Sequence, residues 1–331
     1  MPSDPSNISQ TLSLRPASDE DLLDVVQLIL TINEAEGDLG NATSPEDLIN
    51  YSVYQDFQIN RDAFIIHTSN GDLVSYGALF NIHQHCKLSG DLFFFTDIPG
   101  TAAADLMLDA LETRAREHVG LAPPGTRVYM QLPLDNKNEN GKRFFVKRGY
   151  TPIRYYWRMA IELEKPPAIP VLPDGFEFRP FIRDRHAELI RQAKNEAFQN
   201  HWESYEWTFE EFSHSVFEKD GYDPSLWSVI WHGDEVAGFS INRFKSDTGW
   251  VQTLGVRPAY RSLGLGFALL LDSFSSFFQS GEKTIGLLVD ASNPTGATRL
   301  YRKAGMQVVC EDVILEKELR PGAISDSLPA V

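Results

Sequence analysis

The chain has 331 residues, of which 42% are hydrophobic and 23% are charged, and its formal net charge at pH 7 is -16. This acidity favours solubility and argues against a nucleic acid or an anionic membrane as a partner. At about 100–200 residues per domain, the length predicts two domains, each large enough to bury an ordinary core.

The two cysteines, Cys86 and Cys310, fall one in each half of the chain. They are too few for a disulfide framework or a zinc site, so we expect a reducing, cytoplasmic location. The N-terminal segment MPSDPSNISQ lacks a basic start and an apolar core, and no apolar run approaches the length of a membrane span. We therefore expect neither a signal peptide nor a membrane partner.

Three segments of the first half have counterparts in the second half, in the same order. LSLRPASDEDLLDVVQLI resembles FEFRPFIRDRHAELIRQA, SNGDLVSYGALF resembles WHGDEVAGFSIN, and NENGKRFFVKRGY resembles NPTGATRLYRKAGM. The offset drifts slowly, from 164 between Arg15 and Arg179 to 156 between Gly149 and Gly305. Repetition of this kind indicates a duplicated domain.

The segment EKPPAIPVLPDG separates the two halves, and its prolines make it stiff and extended. We predict a first domain over residues 1–163, a linker over 164–175, a second domain over 176–320 and a flexible tail over 321–331. In each half, strands come first and a strand–helix–strand succession follows. This order predicts an α/β (α+β) fold in which each domain has a mixed, mostly antiparallel sheet flanked by helices.

The elements of the second half are predicted from hydrophobic periodicity and from turn residues. Asn before Pro is a favoured way to begin a helix, so Asn293 is expected to cap a helix whose first residue is Pro294. The other predicted elements are a strand at 176–179, a helix at about 184–198, a helix from about Thr208, strands at about 226–231, 235–244 and 250–256, a helix ending near Gln279, the buried strand TIGLLVD and the last strand VILEKEL.

The segment VRPAYRSLGLGFALLL, residues 256–271, joins a strand to a long apolar helix through two glycines. Glycine lacks a Cβ, so the backbone here can approach a ligand closely. The first N–H groups of a helix lack partners within it and suit an anion, to which Arg261 would add a full charge. The spacing matches neither G-x-x-x-x-G-K-[ST] nor G-x-G-x-x-G. A plain strand-to-helix turn without a ligand is the alternative.

The same segment resembles the acetyl-CoA signature of GNAT-superfamily N-acetyltransferases, V-x-P-x-x-R-x-x-G-x-G. The following VDASNPTGATRLYRKAGM is similar to the next segment of that family, a strand, an Asn and a helix bearing a Tyr. The resemblance covers residues 176–318 well and the first half weakly, and two such domains in one chain resemble the tandem members of the superfamily. It implies that acetyl-CoA is a co-substrate.

The resemblance also implies which residues contact acetyl-CoA. Backbone amides of the glycine turn would hold the pyrophosphate, and the preceding strand would pair with the pantetheine arm. A strand amide near its end would donate to the acetyl carbonyl oxygen. The implied cofactor-binding residues are Leu254, Gly255, Val256, Arg261, Ser262, Leu263, Gly264, Leu265, Gly266, Phe267, Asn293 and Ala297.

A general acid is implied on the last helix. Asn293, Ala297 and Tyr301 are spaced four apart, which would place them on one helix face. By the resemblance this face borders the thioester, so Tyr301 would protonate the departing thiolate. A tyrosine packed with its hydroxyl at the surface is the alternative. Many family members carry a glutamate on the preceding strand, but GWVQTLGV has no carboxylate, so the general base is not identified.

The segment NEAFQNHWESYEWTFEEF joins the first two helices of the second half and, by the resemblance, shapes the acceptor pocket. Its aromatic and acidic residues would suit a cationic amine. An amphipathic helix pair with a solvated acidic face is the alternative. The predicted acceptor-pocket residues are Glu196, His201, Trp202 and Glu203, of which His201 and Glu203 are candidate bases.

Two segments of the first half bear on metal binding and on catalysis. In NIHQHC, His83 and His85 would share one face of a strand, but no further ligand cluster accompanies them, so we predict no metal site. TDIPGTAAADLMLDALE replaces the glycine signature and brings Asp105 to the helix start, and Phe145 stands opposite Tyr301. The first domain is therefore predicted to be GNAT-like and without catalysis.

The sequence thus predicts an acetyl-CoA-dependent N-acetyltransferase. It would transfer an acetyl group to a primary amine of a small molecule by direct attack in a ternary complex. The alternatives are a non-catalytic acyl-CoA sensor or pseudoenzyme, and a structural interaction protein. We expect a monomer or a homodimer without nucleic acid, and the sequence does not identify the acceptor amine.

Overall fold

The structure, a computed structural model, describes residues 11–36, 56–94, 102–202, 204–218, 222–245, 248–293 and 295–323. The chain forms two compact units. Unit 1 comprises Met1–Pro133, Asn140–Thr151 and Leu315–Ile324; unit 2 comprises Leu134–Glu139, Pro152–Ile314 and Ser325–Val331. The division into a non-catalytic and a catalytic domain stays a prediction.

The first half of the chain begins with a strand and a long helix and ends with a strand–helix–strand succession. Its elements are β1 (Leu12–Pro16), α1 (Leu22–Glu36), α2 (Ile59–Asp62), β2 (Ala63–Thr68), β3 (Leu73–His83), β4 (Lys87–Phe94), α3 (Ala102–Val119), β5 (Val128–Asp135), α4 (Glu139–Lys147) and β6 (Thr151–Glu162).

Within the described residues, the second half repeats this order of helices and strands. Its elements are β7 (Phe176–Phe178), α5 (Arg183–Phe198), α6 (Phe209–Phe217), β8 (Ser228–His232), β9 (Glu235–Lys245), β10 (Thr248–Val256), α7 (Leu265–Gln279), β11 (Thr284–Asp290), α8 (Ala297–Lys303) and β12 (Gln307–Arg320). Of the helices in the described ranges, none combines the length and the apolar character needed to cross a bilayer.

The strand pairing confirms the predicted fold class. In unit 1, β1 to β4 are antiparallel neighbours in chain order, and β4 pairs with β5 in parallel. In unit 2, β7 to β10 are antiparallel neighbours, β10 pairs with β11 in parallel, and β6 is antiparallel to β11. Helix α7 packs on β8, β9 and β10, and α5 packs on β9 and β10. Each half therefore contributes a mixed, mostly antiparallel sheet with helices against it.

Unit 1 has a hydrophobic core between α1 and its sheet, in which Ile29, Ile65 and Tyr76 are fully buried. An ion pair is buried in the same unit: Arg114 Nε lies 2.6 Å from Asp62 Oδ1, and the two side chains are 7% and 4% exposed. Because an isolated buried charge is costly, each member of this pair depends on the other.

Unit 2 has its main core between α7, α8 and the strands β10 and β11. Leu270, Phe274 and Phe277 of α7 pack there with Leu287 of β11. A Cβ on Gly249 of β10 would lie 2.7 Å from a ring carbon of Phe277, so glycine lets α7 approach the strand closely. This packing fixes the end of α7 against the beginning of β10.

The predicted start of α8 is wrong. The helix begins at Ala297, and its N-cap is Gly296, which has a left-handed φ of 78°. Asn293 caps no helix, because its Oδ1 accepts a hydrogen bond from the Thr295 N–H at 2.8 Å and closes a turn before the helix. It does not lie on the helix face predicted for it, and Pro294 lies outside the described residues.

The strand predicted through the histidine-rich segment is also wrong. β3 ends at His83, and Gln84 and His85 form a hairpin turn with left-handed φ values of 42° and 58°. His85 Nδ1 lies 2.8 Å from His118 Nδ1. In the part of the chain that the structure describes, no group of three or more His, Cys, Asp or Glu residues is placed to hold a metal ion.

Candidate functional site

The strands β10 and β11 separate along their length in unit 2. They pair in parallel only at Gly249–Ile285 and Trp250–Gly286. Beyond Trp250, β10 stays antiparallel to β9 as far as Val256, with a bulge early in this stretch. The edge of β10 that faces β11 is therefore unpaired over its second half, which leaves a gap between the two strands.

Backbone groups of β10 point into this gap. The Arg257 N–H donates to the Ala237 carbonyl oxygen of β9 at 3.0 Å. Because alternate residues of an antiparallel strand point to opposite neighbours, the N–H and C=O groups of Leu254 and Val256 face away from β9. The Val256 carbonyl oxygen accepts a hydrogen bond from Arg261 Nε at 3.3 Å. The N–H and C=O groups of Leu254 and the N–H group of Val256 can pair with another extended chain.

The glycine turn follows β10 directly and begins α7. Gly264 is the N-cap, with a left-handed φ of 82° and no side chain to cap the helix. The N–H groups of Phe267 and Ala268 both donate to the Gly264 carbonyl oxygen at 3.1 Å. The amide of Phe267, predicted to bind pyrophosphate, is thus already bonded. The N–H groups of Leu265 and Gly266 begin the helix and have no acceptor within it.

The Arg261 side chain holds the glycine turn against α5. Its Nη2 donates to the Ala197 carbonyl oxygen at 2.8 Å, in addition to the bond from Nε to Val256. Two of its five N–H groups are therefore used within the protein. Its positive charge still lies at the turn.

A cavity of about 1200 Å³ occupies the gap within unit 2. Leu263 is not among its lining residues, and its side chain is 46% exposed. The predicted residues that do line the cavity are His201, Trp202, Leu254, Gly255, Val256, Arg261, Ser262, Gly264, Leu265, Gly266, Phe267, Asn293, Ala297 and Tyr301.

Tyr301 is positioned by α8 at the wall of this cavity. The residue is only 8% exposed, and burial raises the pKa of its hydroxyl to about 12. Ala297 lies one turn earlier on the same helix face. A tyrosine with this pKa keeps its proton at neutral pH, which a general acid requires.

The structure does not bring Glu196 to the cavity. Its carboxylate forms a two-pronged ion pair with Arg257, with Nε–Oε2 at 2.7 Å and Nη2–Oε1 at 2.9 Å, and it does not line the cavity. This pair could not be predicted from the sequence, because its partners are 61 residues apart. Glu203 lies outside the described residues.

His201 and Trp202 line the cavity, and their role in an acceptor pocket stays a prediction. Burial is the main cause that lowers the pKa of His201, and the nearby Arg261 charge adds to it. Both effects favour the neutral form of the imidazole. The Arg154 guanidinium carbon lies 5.3 Å from the centroid of the Trp202 ring, which fixes that ring by a cation–π contact.

Comparison with known proteins gives a consistent result. Residues 188–306 match the Acetyltransferase (GNAT) family. The Mycothiol acetyltransferase of Segniliparus rotundus is 30% identical over 201 residues, which are 58% of this chain and 73% of that relative. The chain belongs to the GNAT family.

Two further matches extend this assignment of the chain to the GNAT family. The Mycothiol acetyltransferase of Thermobispora bispora is 30% identical over 176 residues, 51% of this chain and 59% of that relative. The chain thus spans little more than half the length of the first curated relatives it matches. A GCN5-related N-acetyltransferase from Sphaerobacter thermophilus is similar in structure, with a TM-score of 0.83, 28% identity, and coverage of 96% of this chain and 98% of that one.

Several residues of this GNAT cavity were missed by the sequence analysis. Lys194 could have been found, because it lies one helical turn before Phe198 on α5. Tyr156 could not, because it belongs to β6, which precedes the proline-rich linker. The missed lining residues include three basic residues, Lys194, Arg299 and Lys303. They also include Tyr156, Asn195 and Gln252.

Basic residues of α8 lie at the glycine-turn side of the cavity. Arg299 and Lys303 are spaced four apart, and both line it. Lys303 Nζ lies 4.6 Å from the centroid of the ring of Phe267, the third residue of α7. Together with Arg261, these residues bring positive charge to the start of α7, which favours an anionic ligand there.

Proposed function

We propose that the chain is an acetyl-CoA-dependent N-acetyltransferase that acetylates a primary amine of a small molecule by direct transfer in a ternary complex. The parting of β10 and β11 beyond Trp250 and Gly286 is the observation that carries the proposal. It exposes backbone groups of Leu254 and Val256 along a cavity that ends at the glycine turn.

The residues present fit coenzyme A. The pantetheine arm contains two amide groups, which suit the unpaired edge of β10 as another strand would. The pyrophosphate suits the N–H groups of Leu265 and Gly266 at the positive end of the α7 dipole. Arg261, Arg299 and Lys303 supply the positive charge that a phosphorylated ligand needs.

The protein groups then act on the acetyl transfer as follows. Acetyl-CoA, when bound, supplies the activated acetyl thioester. A backbone N–H of β10 at Leu254 or Val256 donates to the acetyl oxygen, on which negative charge builds during attack. The amine nitrogen forms its bond to the acetyl carbon as the carbon–sulfur bond breaks. Tyr301 gives its hydroxyl proton to the departing sulfur.

The remaining protons balance through solvent. The amine attacks in its neutral form and then loses one proton to solvent, while Tyr301 recovers a proton from solvent. The curated relatives are acetyltransferases, which supports acetyl transfer by this chain. Their acceptor is not assigned to it, because the chain spans little more than half of their length. In this proposal the second domain, residues 176–320, carries the site, and the first domain has no catalytic role.

The test is acetyl transfer to a panel of primary amines, read as release of free thiol. We expect release to depend on both acetyl-CoA and an amine. Calorimetry with acetyl-CoA runs in parallel and separates the alternatives. Binding without amine-dependent thiol release would overturn the transferase proposal and favour an acyl-CoA sensor. Absence of binding would overturn both.

A further inference from the structure

We propose that the acceptor amine carries a carboxylate group, which the ammonium group of Lys194 binds. This inference rests on the proposed function, because it names the class of acceptor for the same cavity. It replaces the expectation from sequence of an acidic pocket for a cationic amine.

Lys194 lines the cavity and forms no ion pair with another described residue. Its Nζ lies 3.4 Å from the centroid of the Trp207 ring. It makes neither an ion pair nor a hydrogen bond in the part of the chain that the structure describes. An ammonium group can donate three hydrogen bonds. The face of an aromatic ring replaces only part of the stabilisation that hydrogen bonds to water would give it. A carboxylate in the cavity would supply the missing acceptor.

The backbone of Trp207, whose ring contacts Lys194, is held by three hydrogen bonds. The Trp207 carbonyl oxygen accepts hydrogen bonds from Arg191 Nη1 at 2.6 Å and from Asn195 Nδ2 at 2.9 Å. The Trp207 N–H donates to Asn195 Oδ1 at 3.1 Å. The amine of Lys194 is therefore placed by packing and not by a partner charge, as expected of a preformed binding group.

The position of Lys194 on α5 assigns it to the acceptor side. The Ala197 carbonyl oxygen contacts Arg261 at the glycine turn, and Phe198 Cε2 lies 3.1 Å from the Cβ position of Gly255. Lys194 lies one turn before Phe198, about 6 Å farther along the helix axis from the glycine turn. It is thus separated from the end of the cavity that suits phosphates.

Two carboxylates of the described residues near the cavity are already paired with arginines. Glu196 is paired with Arg257 outside the lining. Asp290 lines the cavity, but its oxygens accept hydrogen bonds from Arg154 Nε at 3.1 Å and Nη2 at 2.5 Å. Among the described lining residues on this side, Lys194 is the charged group without an opposite charge. Charge complementarity therefore favours an acceptor with a negative group over one with a second positive group.

The ionisation of Lys194 agrees with this geometry. Burial lowers the pKa of its ammonium to about 7, and the Glu211 carboxylate offsets this only in part. A bound carboxylate would stabilise the charged form.

The experiment compares pairs of amines in which a carboxylate is replaced by a carboxamide. Glycine, β-alanine, 4-aminobutyrate and L-phenylalanine are each assayed against their carboxamides, with wild type and with Lys194→Met, Lys194→Arg and Lys283→Met. For at least one pair, we expect wild type to prefer the carboxylate in kcat/KM. Lys194→Met should remove about 10- to 100-fold of kcat/KM for that carboxylate, the effect of losing one charged hydrogen bond, and should spare its carboxamide.

The controls separate this inference from the proposed function. Lys194→Arg keeps the charge and should retain part of the preference, and Lys283→Met, at an exposed position, should change nothing. Unchanged acetyl-CoA affinity shows that each variant is folded. Amine acetylation without a carboxylate preference, or an equal loss for both members of a pair, overturns the inference and leaves the proposed function standing. If wild type binds acetyl-CoA but acetylates no amine, the proposed function fails and the inference falls with it.

Discussion

Tyr301 of α8 and Phe145 of α4 accept the same backbone hydrogen bond in the two halves of the chain. The Met306 N–H donates to the Tyr301 carbonyl oxygen at 3.1 Å, and the Tyr150 N–H donates to the Phe145 carbonyl oxygen at 3.0 Å. A left-handed glycine precedes the donor in each case. This confirms the sequence alignment of the two residues, and the missing hydroxyl is the chemical difference between them.

Replacing Tyr301 by Phe should lower kcat by roughly 10²- to 10⁴-fold, because the departing sulfur loses its proton donor. The affinity for acetyl-CoA should barely change, since the ring and its packing remain. Phe145→Tyr is the matched control and should leave kcat unaltered. Thiol release at saturating substrate and calorimetry check both expectations. Full kcat in Tyr301→Phe would show that Tyr301 only packs.

Between about pH 7 and about pH 10, kcat should not fall because of deprotonation of the Tyr301 hydroxyl. Burial raises the pKa of Tyr301 to about 12, so its proton is present below that value and is lost as the pH rises through it. The pH profile of kcat is measured at saturating substrate in parallel with Tyr301→Phe. A falling limb with an apparent pKa at or below 10 that disappears in the variant contradicts this assignment.

Replacing Gly264 by Glu should abolish acetyl-CoA binding, because a carboxylate would stand at the start of α7, where the phosphates are expected. Gly281→Glu is the matched control at the other end of the helix. Both glycines are left-handed, at 82° and 90°, and a Cβ on either meets no atom within 4 Å. Each substitution should therefore lower the free energy of unfolding by a similar amount, about 1–2 kcal/mol. Calorimetry in which both variants bind equally well would disprove the phosphate cradle.

How much of the site could be predicted depends on how far apart in the sequence its interacting residues lie. The strands and helices of each half depend on local periodicity and turn residues, and their order along the chain predicts the fold class. The start of α8 was mispredicted because Asn followed by Pro is also compatible with a turn, here closed by Asn293 onto Thr295.

Ion pairs between residues far apart in the sequence neutralise carboxylates on the acceptor side of the cavity. Such pairs could not be seen in the sequence. Glu196 is removed from the cavity by Arg257, and Asp290 is neutralised by Arg154 from β6. Neither partner lies near its carboxylate in sequence. Counting acidic residues in one segment therefore overestimates the unpaired carboxylates that the described residues bring to this side of the cavity.

The buried ion pair of unit 1 should contribute strongly to stability. Asp62→Ala leaves the buried Arg114 guanidinium without its carboxylate partner at 2.6 Å, which should cost about 3–5 kcal/mol of unfolding free energy. Glu117→Gln is the control, because Glu117 also contacts Arg114 but is 52% exposed, so its loss should cost at most about 1 kcal/mol. Urea unfolding followed by circular dichroism measures both. Similar losses in the two variants would contradict the effect of burial.

One chain should bind one coenzyme A, although its two halves share a plan. β4 and β5 pair in parallel over a short stretch, as β10 and β11 do. In the first half, however, Asp105 lies in the first described turn of α3, where it would repel phosphates, and it is paired with Arg148 at 2.7 Å. Titration of the full chain with acetyl-CoA should give a stoichiometry of one, and Gly264→Glu should reduce it to zero. Two sites per chain, or binding that persists in Gly264→Glu and changes in Asp105→Lys, would place a second site in the first half.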